Sequence, residues 1–283
     1  MKVNSQKCFL SIDLECFKTT SFYKSSYKSF DTVRTTEKNT LIILELLKKK
    51  DVKATFFVVG QVAKDNPLLI KEICNQGHEI ANHSFSHKAL WNLSYSDAQN
   101  EILSTNEVLQ NITGKKVIGF RAPFASLDHR SYWLPSFLEK EGFLYDSSIF
   151  PMKTFRHGIQ NASKKIYRIV DDDLCKGSIQ SNLLEIPFSI YNEKFFQVPC
   201  SGGIYARFLP FHLLNHYLKE CLEQHGHINF YFHPWEINKL YGFQYKSKIH
   251  KFLAEYNSEN YLSKIDKVLS SYNFSSFEKL LFK

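Results

Sequence analysis

The sequence predicts a single barrel-like domain of the α/β class, and three observations support this prediction. Short apolar segments with the composition of buried strands alternate with longer segments that have helical periodicity. No internal repeat or low-complexity linker interrupts this alternation over the 283 residues. Hydrophobic residues make up 43% of the chain and charged residues 23%, which is the balance of a globular protein with a sizeable core.

The alternation can be followed element by element. Seven short apolar segments are predicted to be strands: Cys8–Leu14, Ala54–Val59, Glu79–Ala81, Val117–Arg121, Phe143–Ser147, Leu183–Ser189 and Asn229–Phe232. Five segments have the pattern of helices: Thr36–Lys49, Pro67–Asn75, Ser96–Asn111, Ser131–Glu141 and Pro210–Gln224. The polar segment Met152–Asn182 is predicted to be an excursion beside the functional site. Beyond Glu236 we expect a peripheral helical extension of the same domain, about residues 237–283.

Charge and cysteine content restrict the functions to be considered. The net charge of +8 is spread over single lysines, without the basic face that nucleic-acid binding requires, and it would suit an anionic glycan or a nucleotide-linked sugar. The six cysteines are widely spaced, which indicates reduced thiols rather than a disulfide framework. No segment has the length and apolarity of a membrane span, and Met1–Leu10 lacks the apolar core of a signal peptide. We therefore expect a cytoplasmic protein, and the sequence carries no signal for its oligomeric state.

Ionisable residues stand at the carboxyl ends of five predicted strands. In chain order they are Asp13 and Glu15, His83, Arg121, Asp146, and His233. The carboxyl ends of parallel strands meet at one mouth of such a fold, and catalytic residues gather there. One polar strand end arises easily by chance, whereas a series of them indicates a common site.

Two histidines and two carboxylates are candidates for a metal site. His83 and His87 are four residues apart, so both imidazoles face one side if the segment turns helically. Asp13 and Glu15 are two residues apart and share a side while the strand stays extended. A catalytic metal site needs a carboxylate beside two such imidazoles and an open position. One carboxylate would bind the ion, and its neighbour would take a proton from water.

Three further residues have candidate roles in acid–base chemistry. An aromatic strand that Pro234 stops delivers His233, which is predicted to be the general acid that protonates a departing amine. Arg121 precedes a proline-stiffened turn, where its guanidinium can hold a carboxylate bidentately. Asp146 is a candidate partner that would raise the pKa of His233.

At these residues the chain resembles the polysaccharide deacetylase family, the NodB-like carbohydrate esterases. The matching motifs run in order from about Cys8 to Glu236: Ser-Ile-Asp-Leu-Glu, Ala-Thr-Phe-Phe-Val-Val-Gly, Gly-His-Glu-Ile-Ala-Asn-His-Ser-Phe-Ser-His, Gly-Phe-Arg-Ala-Pro, Tyr-Asp-Ser-Ser-Ile-Phe-Pro, Ser-Gly-Gly-Ile-Tyr-Ala-Arg-Phe-Leu-Pro and Phe-Tyr-Phe-His-Pro-Trp-Glu-Ile. The last two are most similar to the branch linked to exopolysaccharide biosynthesis. The resemblance implies a distorted (β/α)7 barrel and a hydrolase that removes the N-acetyl group from an acetamido sugar, in a polysaccharide or its biosynthetic precursor.

The resemblance also implies roles for individual residues. His83 and His87 match the histidines that hold a divalent metal, usually zinc, with cobalt, nickel or manganese as alternatives. Asp13 matches the base, Arg121 its tether and His233 the acid. We expect water to attack the acetamide carbonyl while the base accepts its proton and the acid protonates the sugar amine.

Other motif residues are expected to contact the substrate. Pro123 and Phe124 match the turn whose backbone helps to form the oxyanion site. Gly202 and Gly203 would let the backbone approach the sugar closely. Two aromatic side chains, Tyr205 and Trp235, would stack on sugar faces.

The first strand departs from the family pattern, and the departure keeps alternatives open. The family has adjacent aspartates there, whereas this chain has Asp-Leu-Glu-Cys. We therefore expect Glu15 to be the third metal ligand, with Asp13 as the alternative. Two rival functions remain: a metal-independent hydrolase of a cyclic amide or ureide on the same fold, and a non-catalytic glycan-binding relative.

Overall fold

The structure, a computed structural model, describes residues 7–26, 32–155, 157–193 and 196–282. The expectation that Met1–Leu10 is not a signal peptide falls partly on residues 1–6, which lie outside the described residues. The strands are β1 Lys7–Leu14, β2 Tyr23–Ser26, β3 Thr55–Val58, β4 Glu79–Asn82, β5 Gly119–Phe120, β6 Tyr145–Asp146, β7 Tyr167–Arg168, β8 Leu184–Glu185, β9 Ile190–Glu193, β10 Phe196–Pro199, β11 His227–Phe232, β12 Phe243–Tyr245 and β13 Phe274–Ser275.

Helices cover the outer face of the sheet and connect its strands. The α-helices are α1 Thr32–Lys49, α2 Gly60–Asp65, α3 Pro67–Asn75, α4 Tyr95–Thr113, α5 Leu134–Lys140, α6 Gly203–Phe208, α7 Phe211–His225, α8 Lys248–Glu255, α9 Ser258–Ser271 and α10 Phe277–Phe282. Short 3-10 turns at Phe17–Thr19, Leu90–Asn92, Pro123–Ala125, His129–Ser131 and Pro234–Glu236 lie in the loops. Among these described helices, none combines the length and the apolarity that crossing a membrane would take.

One large sheet organises the molecule, in the order β11-β1-β3-β4-β5-β6-β8-β7, with β13 also paired to β1. The seven predicted strands are β1, β3, β4, β5, β6, β8 and β11, and all neighbouring pairs among them are parallel. Across the gap between β8 and β11, the side-chain amide of Asn229 donates to the backbone carbonyls of Ile186 at 3.1 Å and Pro187 at 3.2 Å. The predicted α/β distorted barrel is confirmed, and a side chain replaces a strand ladder at its gap.

The alternation of side chains along the strands decides which residues face the barrel interior. In β1 the residues Leu10 and Ile12 pack outward with the helices, whereas Phe9 packs with Phe57 and Tyr145 inside the barrel. Because strand side chains alternate with period two, Ser11 and Asp13 face the same interior as Phe9. The mouth of the barrel is therefore polar while its floor is aromatic.

The segment after residue 237 is more deeply integrated than the predicted peripheral helical extension. Strand β13 pairs with β1, the strand that ends in Asp13. The ring of Phe277, which is fully buried, lies 4.7 Å from the ring of Phe9 and 5.6 Å from that of Phe57. The segment thus supplies part of the barrel floor, and the expectation of a peripheral extension is corrected for this part.

Two carboxyl groups are buried together on the outer side of the sheet. The register pairs Tyr145 with Leu184 and Asp146 with Glu185, and because Tyr145 faces the interior, both carboxyls face the helices. Burial raises the pKa of Glu185 well above its ordinary value, and burial raises that of Asp146 to about 6. Asp146 Oδ2 and Glu185 Oε2 lack a donor among the described residues, so a proton shared between the two groups satisfies both.

Replacement of Phe277 tests the contribution of the carboxyl-terminal segment to the core. Phe277→Ala should lower the free energy of unfolding by about 3–5 kcal/mol, because it empties a buried aromatic site. Phe282→Ala on the same helix is the matched control, since that side chain is 44% exposed, and it should cost less than about 1 kcal/mol. Urea unfolding monitored by circular dichroism would measure both. Equal effects of the two substitutions would contradict the placement of Phe277 in the barrel floor.

The shared proton predicts a pH dependence of stability. Because the folded pKa values lie above the ordinary values of about 4, the folded state binds more protons, and this stabilisation is lost as pH rises from about 4 through about 6 and beyond. In the native protein the Ile149 amide donates to Glu185 at 2.9 Å. In Glu185→Gln the side-chain amide can still accept this hydrogen bond and can donate to Asp146, and neither carboxyl group then has to bind a proton. The variant should therefore gain roughly 1–3 kcal/mol over the native protein between about pH 5 and pH 8.

Urea titrations at each pH would measure this difference, with the exposed substitution Glu223→Gln on α7 as the control. A difference between Glu185→Gln and the native protein that stays constant with pH would exclude a shared proton.

Candidate active site

Side chains from neighbouring strands converge on one cavity of about 200 Å³ at the mouth of the barrel. Its wall contains nine residues predicted from the sequence: Asp13, Glu15, His83, His87, Arg121, Phe124, Tyr205, His233 and Trp235. The wall also contains aromatic residues for which no role was predicted, among them Phe22, Phe150, Phe188 and Tyr231. The strands β11, β1, β3, β4 and β5 are adjacent in the sheet, so side chains at their ends necessarily meet.

Asp13 and Arg121 form a buried ion pair at the centre of the site. Arg121 Nη1 donates to Asp13 Oδ1 at 2.7 Å and to Ser11 Oγ at 2.8 Å, while Nη2 donates to Ser147 Oγ at 2.9 Å. The contact with the carboxylate therefore runs through one nitrogen and is not the predicted bidentate fork. The other carboxylate oxygen, Asp13 Oδ2, faces the imidazoles of His83 at 4.0 Å and His233 at 3.9 Å.

The two motif histidines lie side by side, with ring centroids 5.0 Å apart. A loop places them there instead of the predicted helical turn: Ser84 and His87 have φ of 62° and 58°. The carboxylate of Glu101 on α4 accepts hydrogen bonds from the backbone amides of Phe85 at 3.0 Å and Ser86 at 2.6 Å, which holds the loop closed. No role was predicted for Glu101, because a lone glutamate in a helix has the pattern of a solvated face.

His83 has the protonation state that a metal ligand needs. Its Nδ1 lies 2.7 Å from the backbone carbonyl of Arg121, and because a carbonyl only accepts, Nδ1 carries the proton. Burial lowers the pKa of His83 to about 4, so the ring is neutral near pH 7 and Nε2 keeps its lone pair.

Glu15 lies just past the end of β1, where the chain turns and the Glu15 amide donates to the carbonyl of Asp13 at 3.1 Å. Its carboxylate contacts His87 Nε2 at 2.8 Å and accepts a hydrogen bond from Trp235 Nε1 at 2.9 Å. Burial alone would raise the pKa of Glu15, but the charge and hydrogen bond of His87, followed by the charge of His233, outweigh it and lower the pKa to about 2. Glu15 therefore stays ionised in the buried wall.

His233 is oriented by Glu236, not by Asp146 as predicted. Glu236 Oε2 lies 2.8 Å from His233 Nδ1 and accepts from the His233 amide at 3.0 Å. Burial would lower the pKa of His233, but the charge and hydrogen bond of Glu236 outweigh burial and raise it to about 9. Arg207 in turn donates to Glu236 Oε1 at 2.9 Å. Asp146 is fully buried on the other face of the sheet, bonded to Ser147 and Ser148.

The remaining predicted substrate contacts lie around the rim. Phe124 stands in a left-handed turn, with φ of 58°, after the buried Pro123, and its ring lies 4.7 Å from that of His87. The ring of Tyr205 faces the cavity and stacks on Phe150 at 6.1 Å. Trp235 is 5% exposed and stacks on His233 at 5.1 Å, so it supports the wall more than it offers a face to a sugar.

The two motif glycines allow two segments of the chain to pack closely against each other. Gly202 has φ of 148°, and a Cβ there would lie 1.7 Å from the carbonyl oxygen of Tyr231. Gly203 has φ of 55°, and a Cβ there would lie 2.9 Å from the Tyr231 hydroxyl. The close approach that these glycines allow is therefore to β11, whereas the sequence suggested an approach to sugar.

The donor atoms of Glu15, His83 and His87 suit a divalent ion chemically. Two imidazoles and one carboxylate are a usual set at catalytic zinc sites, and the carbonyl that fixes His83 Nδ1 is a usual support. Glu15 and His87 are hydrogen-bonded to each other at 2.8 Å, so they would separate to accept an ion. In the ranges that the structure describes, no three His, Cys, Asp or Glu side chains form a ready-made metal cluster.

Comparison with known proteins finds a different family for each of two parts of the chain. Residues 20–139 match the family described as Polysaccharide deacetylase, and residues 147–282 match one described as Domain of unknown function (DUF3473). The peptidoglycan-N-acetylglucosamine deacetylase of Bacillus cereus is 37% identical over 92 residues, which are 32% of this chain and 34% of that protein. The chain spans about a third of the length of the curated relatives that it matches.

Solved structures show the fold at low sequence identity. A Mycobacterium smegmatis protein described as a polysaccharide deacetylase has a TM-score of 0.61 at 17% identity, covering 99% of this chain and 91% of its own. The allantoinase Puue has a TM-score of 0.62 at 13% identity, covering 97% and 88%. The chain therefore carries a segment, residues 20–139, that matches the polysaccharide deacetylase family, followed by a DUF3473 segment, residues 147–282, on a fold that it shares with these solved structures.

Proposed function

We propose that this protein is a metal-dependent hydrolase that removes the N-acetyl group from an acetamido sugar in a glycan or its biosynthetic precursor. The observation that carries the proposal is the placement of Asp13. One of its carboxylate oxygens is fixed by Arg121 at 2.7 Å, and the other faces the imidazole of His233 across 3.9 Å. A base and an acid that lie side by side in the wall of one cavity are what amide hydrolysis requires.

Asp13 is the proposed base. Its free oxygen, Oδ2, accepts the proton of a water molecule that attacks the acetamide carbonyl. Arg121 keeps the carboxylate in place, because its buried guanidinium donates to the other oxygen, Oδ1, at 2.7 Å. The turn that begins at Pro123 offers the backbone amide of Phe124 near the place where negative charge develops on the carbonyl oxygen.

His233 is the proposed acid. Its Nδ1 is held by Glu236, which leaves Nε2 directed at the cavity and at Glu15 Oε1, 3.5 Å away. From that position Nε2 gives a proton to the sugar amine as the carbon–nitrogen bond breaks, and acetate leaves. Tyr205 offers a half-buried aromatic face to the sugar ring.

Glu15, His83 and His87 are the residues that would hold a divalent ion, zinc first, with cobalt, nickel or manganese as alternatives. When bound, such an ion supplies Lewis-acid stabilisation of the amide oxygen and makes water more acidic. Asp13 is the less suitable ligand of the two carboxylates, because its Oδ1 is already engaged by Arg121.

The two matched segments are proposed to act as one domain. They share one sheet, because β3, β4 and β5 of the first segment and β7, β8, β11 and β13 of the second are joined through β1 and β6. A reducing compartment such as the cytoplasm is proposed from the wide spacing of the six cysteines along the chain, which does not suit a disulfide framework.

Substitution of the base and the acid tests the catalytic assignment. Asp13→Asn and His233→Gln should each lower kcat for acetate release from N-acetylglucosamine oligomers by about 10²–10⁴-fold, because each removes a proton-transfer group. His233→Gln leaves the ion pair of Asp13 with Arg121 intact, so it remains informative if Asp13→Asn folds poorly. The exposed substitution Asp65→Asn should leave the rate unchanged. Undiminished acetate release in His233→Gln would refute the assignment of the acid.

Metal content tests the cofactor independently of activity. The purified protein should contain about one divalent ion per chain by elemental mass spectrometry, and His83→Ala and His87→Ala should both lose it. Chelation should abolish acetate release, and added zinc or cobalt should restore it. Full activity of metal-free protein on a cyclic amide would favour the metal-independent rival. Metal and glycan binding without acetate release would favour a non-catalytic relative.

A further inference from the structure

A second cavity, of about 410 Å³, opens beside the candidate active site. The two cavities share four wall residues: Thr20, Ser21, His87 and Phe124. The second cavity is therefore continuous with the first across the ring of Phe124 and the backbone of His87. A chain of sugars that places one acetamido group in the active site would lay a neighbouring unit here.

Three cations from separate segments line this second cavity: Lys88, Arg130 and Lys246. Lys88 directly follows His87, Arg130 comes from the 3-10 turn at His129–Ser131, and Lys246 is held where its amide donates to the Phe22 carbonyl at 3.1 Å. Of the residues that the structure describes, none of those lining this cavity is acidic. The three segments therefore bring like charges together around one opening.

The charge of the two lysines is not compensated. Within the described ranges, neither Lys88 nor Lys246 forms an ion pair, whereas Arg130 is paired with Asp128. Arg130 uses Nε and Nη2 for that pair, and its guanidinium lies 4.0 Å from the centroid of the Trp91 ring. The ion pair and the ring fix Arg130 in place and leave its Nη1 side outside the pair with Asp128.

Aromatic surface accompanies these cations. Trp91 is half-buried in the wall, and Phe155 is fully exposed beside it. Aromatic faces bind the apolar faces of sugar rings, and flexible lysines bind anions as point charges. The combination differs from the first cavity, whose charged residues are already paired with one another.

We propose that the second cavity binds an anionic group, a carboxylate or a phosphate, on the unit next to the sugar that loses its acetyl group. The protein would thus select an acidic glycan or a phosphate-linked sugar over a neutral one. This inference rests on the proposed deacetylase function, since it names the substrate class of the same site. Lys88 and Lys246 attract the anion, and Arg130 with Trp91 provides a rigid wall.

The test compares acetate release from three substrates: a neutral N-acetylglucosamine tetramer, a tetrasaccharide that alternates N-acetylglucosamine with glucuronate, and uridine diphosphate N-acetylglucosamine. In the double variant Lys88→Gln/Lys246→Gln, the ratio of kcat/KM for an anionic substrate to that for the neutral tetramer should fall roughly three- to tenfold, since each exposed ion pair contributes modestly. Raising the salt concentration should lower the same ratio in the native protein. The substrate whose ratio falls identifies the anion as carboxylate or phosphate.

The matched control is Lys48→Gln/Lys71→Gln, which removes two exposed lysines on α1 and α3 and should leave every ratio unchanged. Ratios that are unaffected by Lys88→Gln/Lys246→Gln, with acetate still released, would overturn the anion site and leave the deacetylase function standing. If the native protein releases no acetate, the deacetylase function fails, and calorimetric binding of the glucuronate tetrasaccharide decides the anion site alone. Weaker binding in the double variant would support that site, and equal binding would overturn it.

Discussion

The buried guanidinium of Arg121 is the interaction on which the rest of the site depends. It binds Asp13 and Ser11 from β1, Ser147 from the end of β6 and Asn229 from β11, so one side chain ties together strands from both sides of the barrel. It also lies 4.1 Å from the ring centroid of Phe57 in the aromatic floor. A charge that is 1% exposed is tolerated only with such partners, because an unpaired buried charge costs several kcal/mol. The position of Asp13 is thus a condition of folding as well as of the proposed chemistry.

The backbone of the same residue links the ion pair to the histidines. His83 Nδ1 donates a hydrogen bond to the Arg121 carbonyl. The residue that supplies the guanidinium therefore also fixes the tautomer of the imidazole. On the opposite wall, Glu15 contacts His87 and Trp235, and Trp235 stacks on His233. The proposed metal ligands and the proposed acid are therefore not independent parts. A change in the rotamer of Glu15 would disturb both sides of the cavity.

The sequence predicted the fold and the convergence of the site because both rest on strong local signals. A run such as Cys8–Leu14 is buried on both faces, and a polar residue at its end has only the mouth of the barrel to occupy. Asp146 was misassigned because its position at a strand end does not reveal its face. Tyr145 takes the interior side, so the next residue must point outward. The phase of a two-residue strand is set by its neighbours, which no local pattern contains.

Three other features were also missed, and only some of them have partners that are distant in sequence. Glu236 lies three residues after His233, and its carboxylate contacts both the backbone amide and Nδ1 of His233. The motif His-Pro-Trp-Glu contained the signal for this cap-like turn. Phe277 follows only two paired residues, too few for a periodicity, and its partners Phe9 and Phe57 lie more than two hundred residues earlier. A turn at Gly202 could be predicted from the sequence, but its close contact with β11 depends on the three-dimensional fold.

The division of the site between the two matched segments has an evolutionary consequence. The proposed metal ligands His83 and His87 lie in the first matched segment, residues 20–139, with Asp13 and Glu15 just ahead of it. The proposed acid and its partner Glu236 lie in the second, residues 147–282. Neither segment could be exchanged for an unrelated one without losing half of the reaction's proton transfers. Under the proposed function, a gene deletion that separated them would leave an inert remnant of each.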